Sequence, residues 1–435
     1  MRFKTTKYIS DVALFKEQLL YWANQFREVV YLDSNRNQNT NQLYQNYDLI
    51  VAVEAFTSIT TDYEKAFEDL YQYQSKCKDW LFGYLSYDLK NDTEQLASAN
   101  FDGLEFPELF FFQPKKIFLL NENQLEIQYL HLCDDELESD FESIIHQEIQ
   151  LQKPEKLTIQ QRISKESYLE KVSSMLANIH RGDIYEANFC MEFFSENARI
   201  DSYSTFQKLN AISSPPFAVY LKNNQHYLLS ASPERYLLKK DTTIVSQPIK
   251  GTAKRSADVI EDDKLKKQLK DNIKEQSENI MIVDLVRNDL SHTAKKGSVR
   301  VEELCQVYTF KQVHQMISTI TSTIENTTSP IEVLRTTFPM GSMTGAPKIS
   351  AMKIIEELEE TKRGLYSGSV GYFTPTGDFD FNVVIRSILY NAKTEYLSFS
   401  VGSAITAKAT PEEEYKECLL KAKAMFEVLT NEDVY

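Results

Sequence analysis

Strand-like and helix-like runs follow one another along this chain without the strict βαβ alternation of a parallel sheet, and that order narrows its fold most. Residues 29–32 and 49–53 are short β-branched runs suited to buried strands, 61–79 has helical spacing, and 80–87 alternates like a strand. Residues 115–132 read as a hairpin turning near Asn121-Glu122-Asn123. An acidic stretch over 134–142 leads into a polar segment, 152–161, which contains Pro154 and is the best linker candidate. Ser164 then precedes a run with Tyr168, Val172, Met175, Leu176 and Ile179 on one face, and Gly182 follows it. That pattern predicts a capped amphipathic helix. Farther on, 184–194 and 218–229 read as strands, 258–289 as a long charged helical region, and 315–324 as β-rich. A helix over 346–360, a strand pair over 366–373 and 379–389 turning at Pro375-Thr376-Gly377, and a helix over 412–429 complete the chain. The fold class is therefore α+β with antiparallel sheets.

Composition excludes several function classes. With 48 basic and 63 acidic side chains the formal net charge is −15, and no basic tract is present, so no nucleic-acid binding is expected. No apolar run approaches the roughly 18–20 residues that cross a bilayer, and residues 1–15 carry Asp11 and no apolar leader, so neither membrane insertion nor secretion is expected. Cys77, Cys133, Cys190, Cys305 and Cys418 are dispersed and form no CxxC pair, which fits reduced thiols in a cytoplasmic protein. Seven of the 12 glycines fall between Gly341 and Gly402. Such a stretch suits either ordinary turns and caps or a site built partly from main-chain amides.

Four places could carry chemistry. Ser232-Pro233-Glu234-Arg235 sits where a strand ends, and Gln247-Pro248-Ile249-Lys250-Gly251-Thr252 sets a lysine between apolar residues and a glycine. Lys274 and Glu278 lie one turn apart on a helix that becomes apolar over 280–285. The Glu278 carboxylate there either pairs with a lysine or ligates a hard cation such as Mg²⁺. A second acidic cluster, Glu412-Glu413-Glu414 with Glu417, is far away in sequence, and spacing alone does not join the two.

Phe338-Pro339-Met340-Gly341-Ser342-Met343-Thr344-Gly345-Ala346-Pro347-Lys348 resembles the FPxGSxTGAPK motif of the chorismate-utilising enzymes. SPER at Ser232, GT at Gly251, ENxMIVDLxRND at Glu278, SGxxGY at Ser367, IRS at Ile385 and EYxE with Lys421 follow in the same order as in that family. The resemblance is strong over 160–430 and weaker over 1–120, through Tyr31-Leu32-Asp33-Ser34 and residues 83–88. It implies two antiparallel sheets packed as a sandwich with helices outside. It also implies an amino-terminal domain over 1–150 sharing those sheets with a catalytic, chorismate-binding domain over 160–430.

Lys250, in its PIKGT setting, resembles the aminodeoxychorismate synthase component I branch. The implied reaction is amination of chorismate at C4 by ammonia, through a covalent lysine adduct at ring carbon C2, to 4-amino-4-deoxychorismate on the route to 4-aminobenzoate and folate. Lys250 would be the nucleophile and Glu234 the general acid for the departing hydroxyl. An ordinary lysine is almost wholly protonated near pH 7.5, so the role calls for its pKa to fall by ~3 units. Glu234 conversely needs a raised one. Glu278 and Glu417 would hold Mg²⁺. Arg386, Tyr372, Gly251, Thr252, Gly402, Ser403 and Lys421 would bind the substrate, with Arg386 clamping a carboxylate.

Some residues depart from the family pattern. Glu186, in Gly182-Asp183-Ile184-Tyr185-Glu186, stands where glutamine is usual and where C2-hydrating relatives have a lysine. Either a hydrogen-bonding role or that of a base is open to it. Ser403 and Ala404 stand at common glycine positions and Cys418 at a common threonine position. No Gly-x-Cys-x-Gly-His nucleophile elbow surrounds any cysteine, so ammonia is expected from solution or from a separate glutamine amidotransferase subunit. The alternative reading is anthranilate synthase component I, which usually has alanine at the position of Lys250. Relatives can bind tryptophan in the amino-terminal domain, and Ser34 lies in the corresponding segment.

Overall fold

The computed structural model describes residues 2–35, 44, 47–94, 96–150, 157–311 and 313–430. Positions 152–156 of the linker candidate lie outside the described residues, and Gln160–Gln161 at its far end pairs with Phe193 and Phe194. Among the described residues, hydrogen bonding joins twenty strands into one network, with antiparallel ladders throughout. The α+β class with antiparallel strands and packed helices is as expected. Hydrogen bonding alone does not divide the strands into the two face-to-face sheets of the expected sandwich, since it links all twenty.

The amino-terminal strands are woven into the rest. Glu28–Asp33 pairs with Phe217–Asn223, and Leu81–Leu85 pairs with Ser369–Phe373. Because side chains alternate across a strand, single strands feed two apolar cores. Val29 and Tyr31 enter one, with Leu49, Val51 and Val53; Val30 enters the other, with Ile50 and Ala52. The first core is closed by the helices Val12–Ala23, Lys165–Arg181 and Pro411–Thr430. The second takes in Ala66–Cys77, Ile273–Ser291 and Pro330–Thr337.

Local signals explain most boundaries. The Ser164 side chain accepts from the Ser167 amide, Gly182 ends that helix at φ +90, and Tyr168, Val172, Met175 and Ile179 form its buried stripe. Each such side chain contributes about 1.5–3 kcal/mol by leaving water. The hairpin turns at Glu122 between Leu109–Asn121 and Gln124–Leu130. Two long runs divide. Residues 218–229 form a hairpin, Phe217–Asn223 with His226–Ser232, turning at Asn224 with φ +58. The charged helical region splits into Val259–Asp271 and Ile273–Ser291 because the Asn272 side chain accepts from the Lys274 and Glu275 amides and starts a new helix. All five cysteines are free thiols, and no helix among the described residues is long and apolar enough to cross a membrane.

Candidate active site

The lysine at position 250 owes its placement to a fault in a strand. Ile249–Lys254 pairs with Val313–Thr323, but the register slips between Ile249 and Thr252, so Lys250 and Gly251 together oppose one residue of the partner. Such a bulge re-aims a side chain. Gly251 takes φ +89, a conformation that favours glycine, and a Cβ there would lie 3.0 Å from Glu275 Oε2. Lys250 Nζ, now largely buried, donates to Glu186 Oε1 at 3.1 Å.

Glu186 begins the wholly buried strand Glu186–Ser195. Gly345 and Ala346 of the glycine-proline loop pair with Ala187 and Glu186. A Cβ on Gly345 would sit 2.1 Å from the Glu186 carbonyl oxygen, so only glycine lets the loop lie on this strand. Lys348 anchors the same loop by donating to Asp289 Oδ2 at 2.7 Å and to the Thr337 carbonyl at 3.1 Å.

Glu234 joins the strands His226–Ser232 and Arg235–Lys240. Its amide donates to Ser232 Oγ, and its carbonyl accepts from the Val383 amide. The side chain is 4% exposed. Burial pushes its carboxyl up to about 7, against the opposing pull of a hydrogen bond from Ser342 and the charge of Lys250. That is the range a general acid needs. Lys250 differs from expectation. Burial alone would lower its pKa, but the charges of Glu186, Glu278 and Glu234 and the hydrogen bond to Glu186 outweigh burial and raise it. The anticipated depression is reversed because three carboxylates face one ammonium.

Glu278 and Glu417, distant in sequence, come into one electrostatic neighbourhood around Lys250 and Lys274. Lys274 Nζ lies 3.8 Å from Glu278 Oε1 and 3.5 Å from Glu414 Oε1. Burial, reinforced by Glu275 and Glu186, raises the Glu278 carboxyl to about 7 despite Lys250 and Lys274. Glu278 Oε1 is fully buried and has no hydrogen-bond partner. Burial and the charge of Glu417 likewise raise Glu275 and Glu414. Glu417 itself is lowered, since Lys421 Nζ at 2.8 Å overcomes its burial. An orphaned carboxylate oxygen among crowded acids fits a divalent cation of the Mg²⁺ kind. Among the described residues no three ligating side chains converge as a ready-made site, so such a cation would take further ligands from water or substrate.

Of the substrate-binding candidates, Arg386 is an electrostatic neighbour of Tyr366, Glu417 and Glu234, and burial lowers its pKa. Its backbone has φ +53, and its carbonyl accepts from the Ala231 amide. Lys421 Nζ donates to the Gly402 carbonyl at 2.8 Å, and a Cβ on Gly402 would lie 2.6 Å from both Asn188 Oδ1 and Cys190 Sγ. Ser403 Oγ lies 3.2 Å from the Tyr168 hydroxyl, which is 3.5 Å from Cys418 Sγ; these two departures from the family pattern thus share one partner. Gly251 shapes the bulge, and Thr252, next on the strand, is exposed.

Tyr372 is not brought into this site. Its ring stacks near Trp80 and Phe82 and lines a separate cavity of about 140 Å³ with Asp33, Ser34, Arg235, Ile249 and Asp380. Ile249 and Arg235 line this cavity, and neither Lys250 nor Glu234 is among its lining residues. Tyr366, buried and an electrostatic neighbour of Arg386, is an aromatic residue not among the expected binding residues. It precedes the strand Ser369–Phe373, on which Val370 and Tyr372 share the face turned to the cavity, and that parity was the available signal.

The sequence and the fold have counterparts in known proteins. A family model described as chorismate binding enzyme matches residues 23–427. A probable chloroplastic aminodeoxychorismate synthase of Oryza sativa subsp. japonica is 35% identical over 80% of this chain and 43% of its own length. Aminodeoxychorismate synthase component 1 of Escherichia coli K12 is 38% identical over 62% of this chain and 59% of its own. The matched region thus spans less than two thirds of either protein. The crystal structure of anthranilate synthase component I from Streptococcus pneumoniae TIGR4 shares the fold, with a TM-score of 0.78 at 21% identity over 90% of this chain and 95% of that one. Because the family model spans nearly the whole chain, residues 23–427, this chain belongs to the chorismate-binding enzyme family.

Proposed function

We propose that the chain aminates chorismate at C4 to give 4-amino-4-deoxychorismate, as the names of its aminodeoxychorismate synthase relatives suggest. One observation carries the reading: a lysine displaced from its ladder by a bulge is an electrostatic neighbour of a buried carboxyl whose pKa is raised to about 7. Arg386 would receive a substrate carboxylate, aided by the Tyr366 hydroxyl and by the main chain around Gly402 and Ser403. Lys421 would keep Glu417 ionised, as their 2.8 Å contact supports. Mg²⁺ held by Glu278 and Glu417 would neutralise their charge and attract the ring carboxylate.

The neutral Lys250 amine attacks C2, the ring double bonds shift, and the C4 hydroxyl leaves as water with the proton of Glu234. Ammonia then bonds to C4, and lysine departs with the electron pair of its bond to C2. A separate glutamine amidotransferase subunit would deliver that ammonia, and the reaction would take place in the cytoplasm. For architecture, the network is read as folding over into two facing layers, shared by an amino-terminal part over 1–150 and a catalytic part over 160–430. The inner core drawn from both parts supports this.

Anthranilate synthase component I is the competing reading, and the presence of Lys250 weighs against it. Incubating the purified chain with chorismate, Mg²⁺ and ammonium decides between them. The expected product is 4-amino-4-deoxychorismate; anthranilate or isochorismate as sole product would overturn the assignment.

A further inference from the structure

Resting on that reading, we propose that Glu186 is the group that takes the proton of Lys250 when the lysine becomes a nucleophile, and returns it when the lysine is released. Three observations carry this. Lys250 Nζ donates to Glu186 Oε1 at 3.1 Å, the single hydrogen bond found for this ammonium among the described residues. Glu186 is 2% exposed, so no bulk water reaches the pair from that side. The second oxygen, Oε2, is buried with no hydrogen-bond partner, which leaves the carboxylate half-satisfied with a lone pair open.

The surroundings single Glu186 out. The groups facing Lys250 are Glu186 on its strand, Glu234 at the adjoining strand end, Glu275 and Glu278 on the helix Ile273–Ser291, and Glu417 on the last helix, with Lys274 and Lys421 beyond. Glu234 must keep its proton for the leaving hydroxyl. Glu278 and Glu417 are assigned to the cation. Glu186 alone combines contact with the amine and freedom from another task.

Protons and electrons balance over the cycle. The ammonium of Lys250 gives a proton to Glu186, and the amine forms its bond to C2 as the C4–O bond breaks and Glu234 protonates the oxygen. Ammonia forms the C4–N bond, and the C2–N bond breaks with its electron pair returning to lysine. The new C4 ammonium reprotonates Glu234, and Glu186 hands its proton back to Lys250. The net change is chorismate plus ammonia to 4-amino-4-deoxychorismate plus water.

This relay has a signature that a purely structural Glu186 lacks. Moving a proton within the pair needs no exchange with solvent, so the wild type shows no acid limb from the lysine. In Glu186→Gln the lysine must lose its proton to water. Its log kcat then rises with pH by about one unit per pH unit below the lysine pKa. At pH 7 kcat falls about tenfold or more while the chorismate KM stays within about twofold. Glu186→Asp, with its carboxylate kept, retains the wild-type profile at a reduced rate, and it carries the test if the glutamine variant fails to fold. A Glu186→Gln profile superimposed on the wild type, or an acid limb in Glu186→Asp, would overturn the relay. Lys250→Ala, run alongside, separates the two readings. If it is inactive while Glu186→Gln matches the wild type, the relay alone fails; if it matches the wild type, the lysine reading fails.

Discussion

At the residue scale the site is a balance of charges that burial makes costly. The Glu234 carboxyl is raised from its ordinary range to about 7, so the folded state binds its proton more tightly than the unfolded chain does. Its burial therefore costs nothing below about pH 4, and the cost grows as pH rises through about 7. Glu234→Gln should accordingly stabilise the fold by on the order of 2 kcal/mol at pH 8.5 and leave it almost unchanged at pH 4.5. Scanning calorimetry at the two pH values checks this; equal midpoint shifts would show that the ionised carboxylate bears no penalty. Glu278 carries the matching prediction for the cation. Glu278→Gln removes the carboxylate charge and replaces one of its oxygens with an amide nitrogen, so the Mg²⁺ concentration needed for half-maximal activity should rise about tenfold or more. An unaltered titration would take Glu278 out of the ligand set. The resemblance to the family motifs singled out Glu234, Lys250, Glu278 and Glu417 in the sequence. Their ionisation was not legible there. The direction of the Lys250 shift depends on Glu186, Glu278 and Glu234, which lie on three other segments, and no spacing rule sums their fields.

Among elements, glycine is what brings backbone to the site. The bulge at 250–251 exists because Gly251 accepts φ +89, and Gly345 lets the motif loop touch the strand that bears Glu186. Gly251→Ala should cost about 1–2 kcal/mol of stability and about tenfold or more in kcat, because its strain falls on the residue beside the amine. Gly345→Ala should destabilise further, since backbone rather than a pliable side chain stands in the way. Chemical denaturation with parallel rate measurements tests the ranking, which would fail if Gly345→Ala were the milder. Elements with local punctuation could be read directly. Ser164 and Gly182 bracket one helix, and Asn121-Glu122-Asn123 marks one turn. The hairpin at Asn224 and the break at Asn272 were harder, because each interrupts an otherwise continuous pattern at a single residue. Tyr372 shows the limit on faces. A one-residue change of parity decides which of two spaces a strand side chain enters, and the motif SGxxGY does not state the parity.

Taken as a whole, the molecule cannot be cut where its sequence similarity weakens. Glu28–Asp33 and Leu81–Leu85 are ladder partners of strands from the other half, and both cores mix the two. A fragment over 160–430 should therefore fail to fold on its own, giving poor amide dispersion and no cooperative melt; a sharp transition would contradict the shared core. The α+β class was readable from the order of runs, but long-range pairing was not, because antiparallel partners nearly two hundred residues apart leave no local trace. The shared sheet also brings the bulged strand and the two acidic helices into one electrostatic neighbourhood. The account stands on Lys250 bonding to the substrate ring. Its most direct test compares the wild type with Lys250→Ala, both supplied with chorismate, Mg²⁺ and saturating ammonium, and resolves the products by chromatography. The account predicts that the variant still binds chorismate and forms no 4-amino-4-deoxychorismate; the same product at an undiminished rate would contradict it.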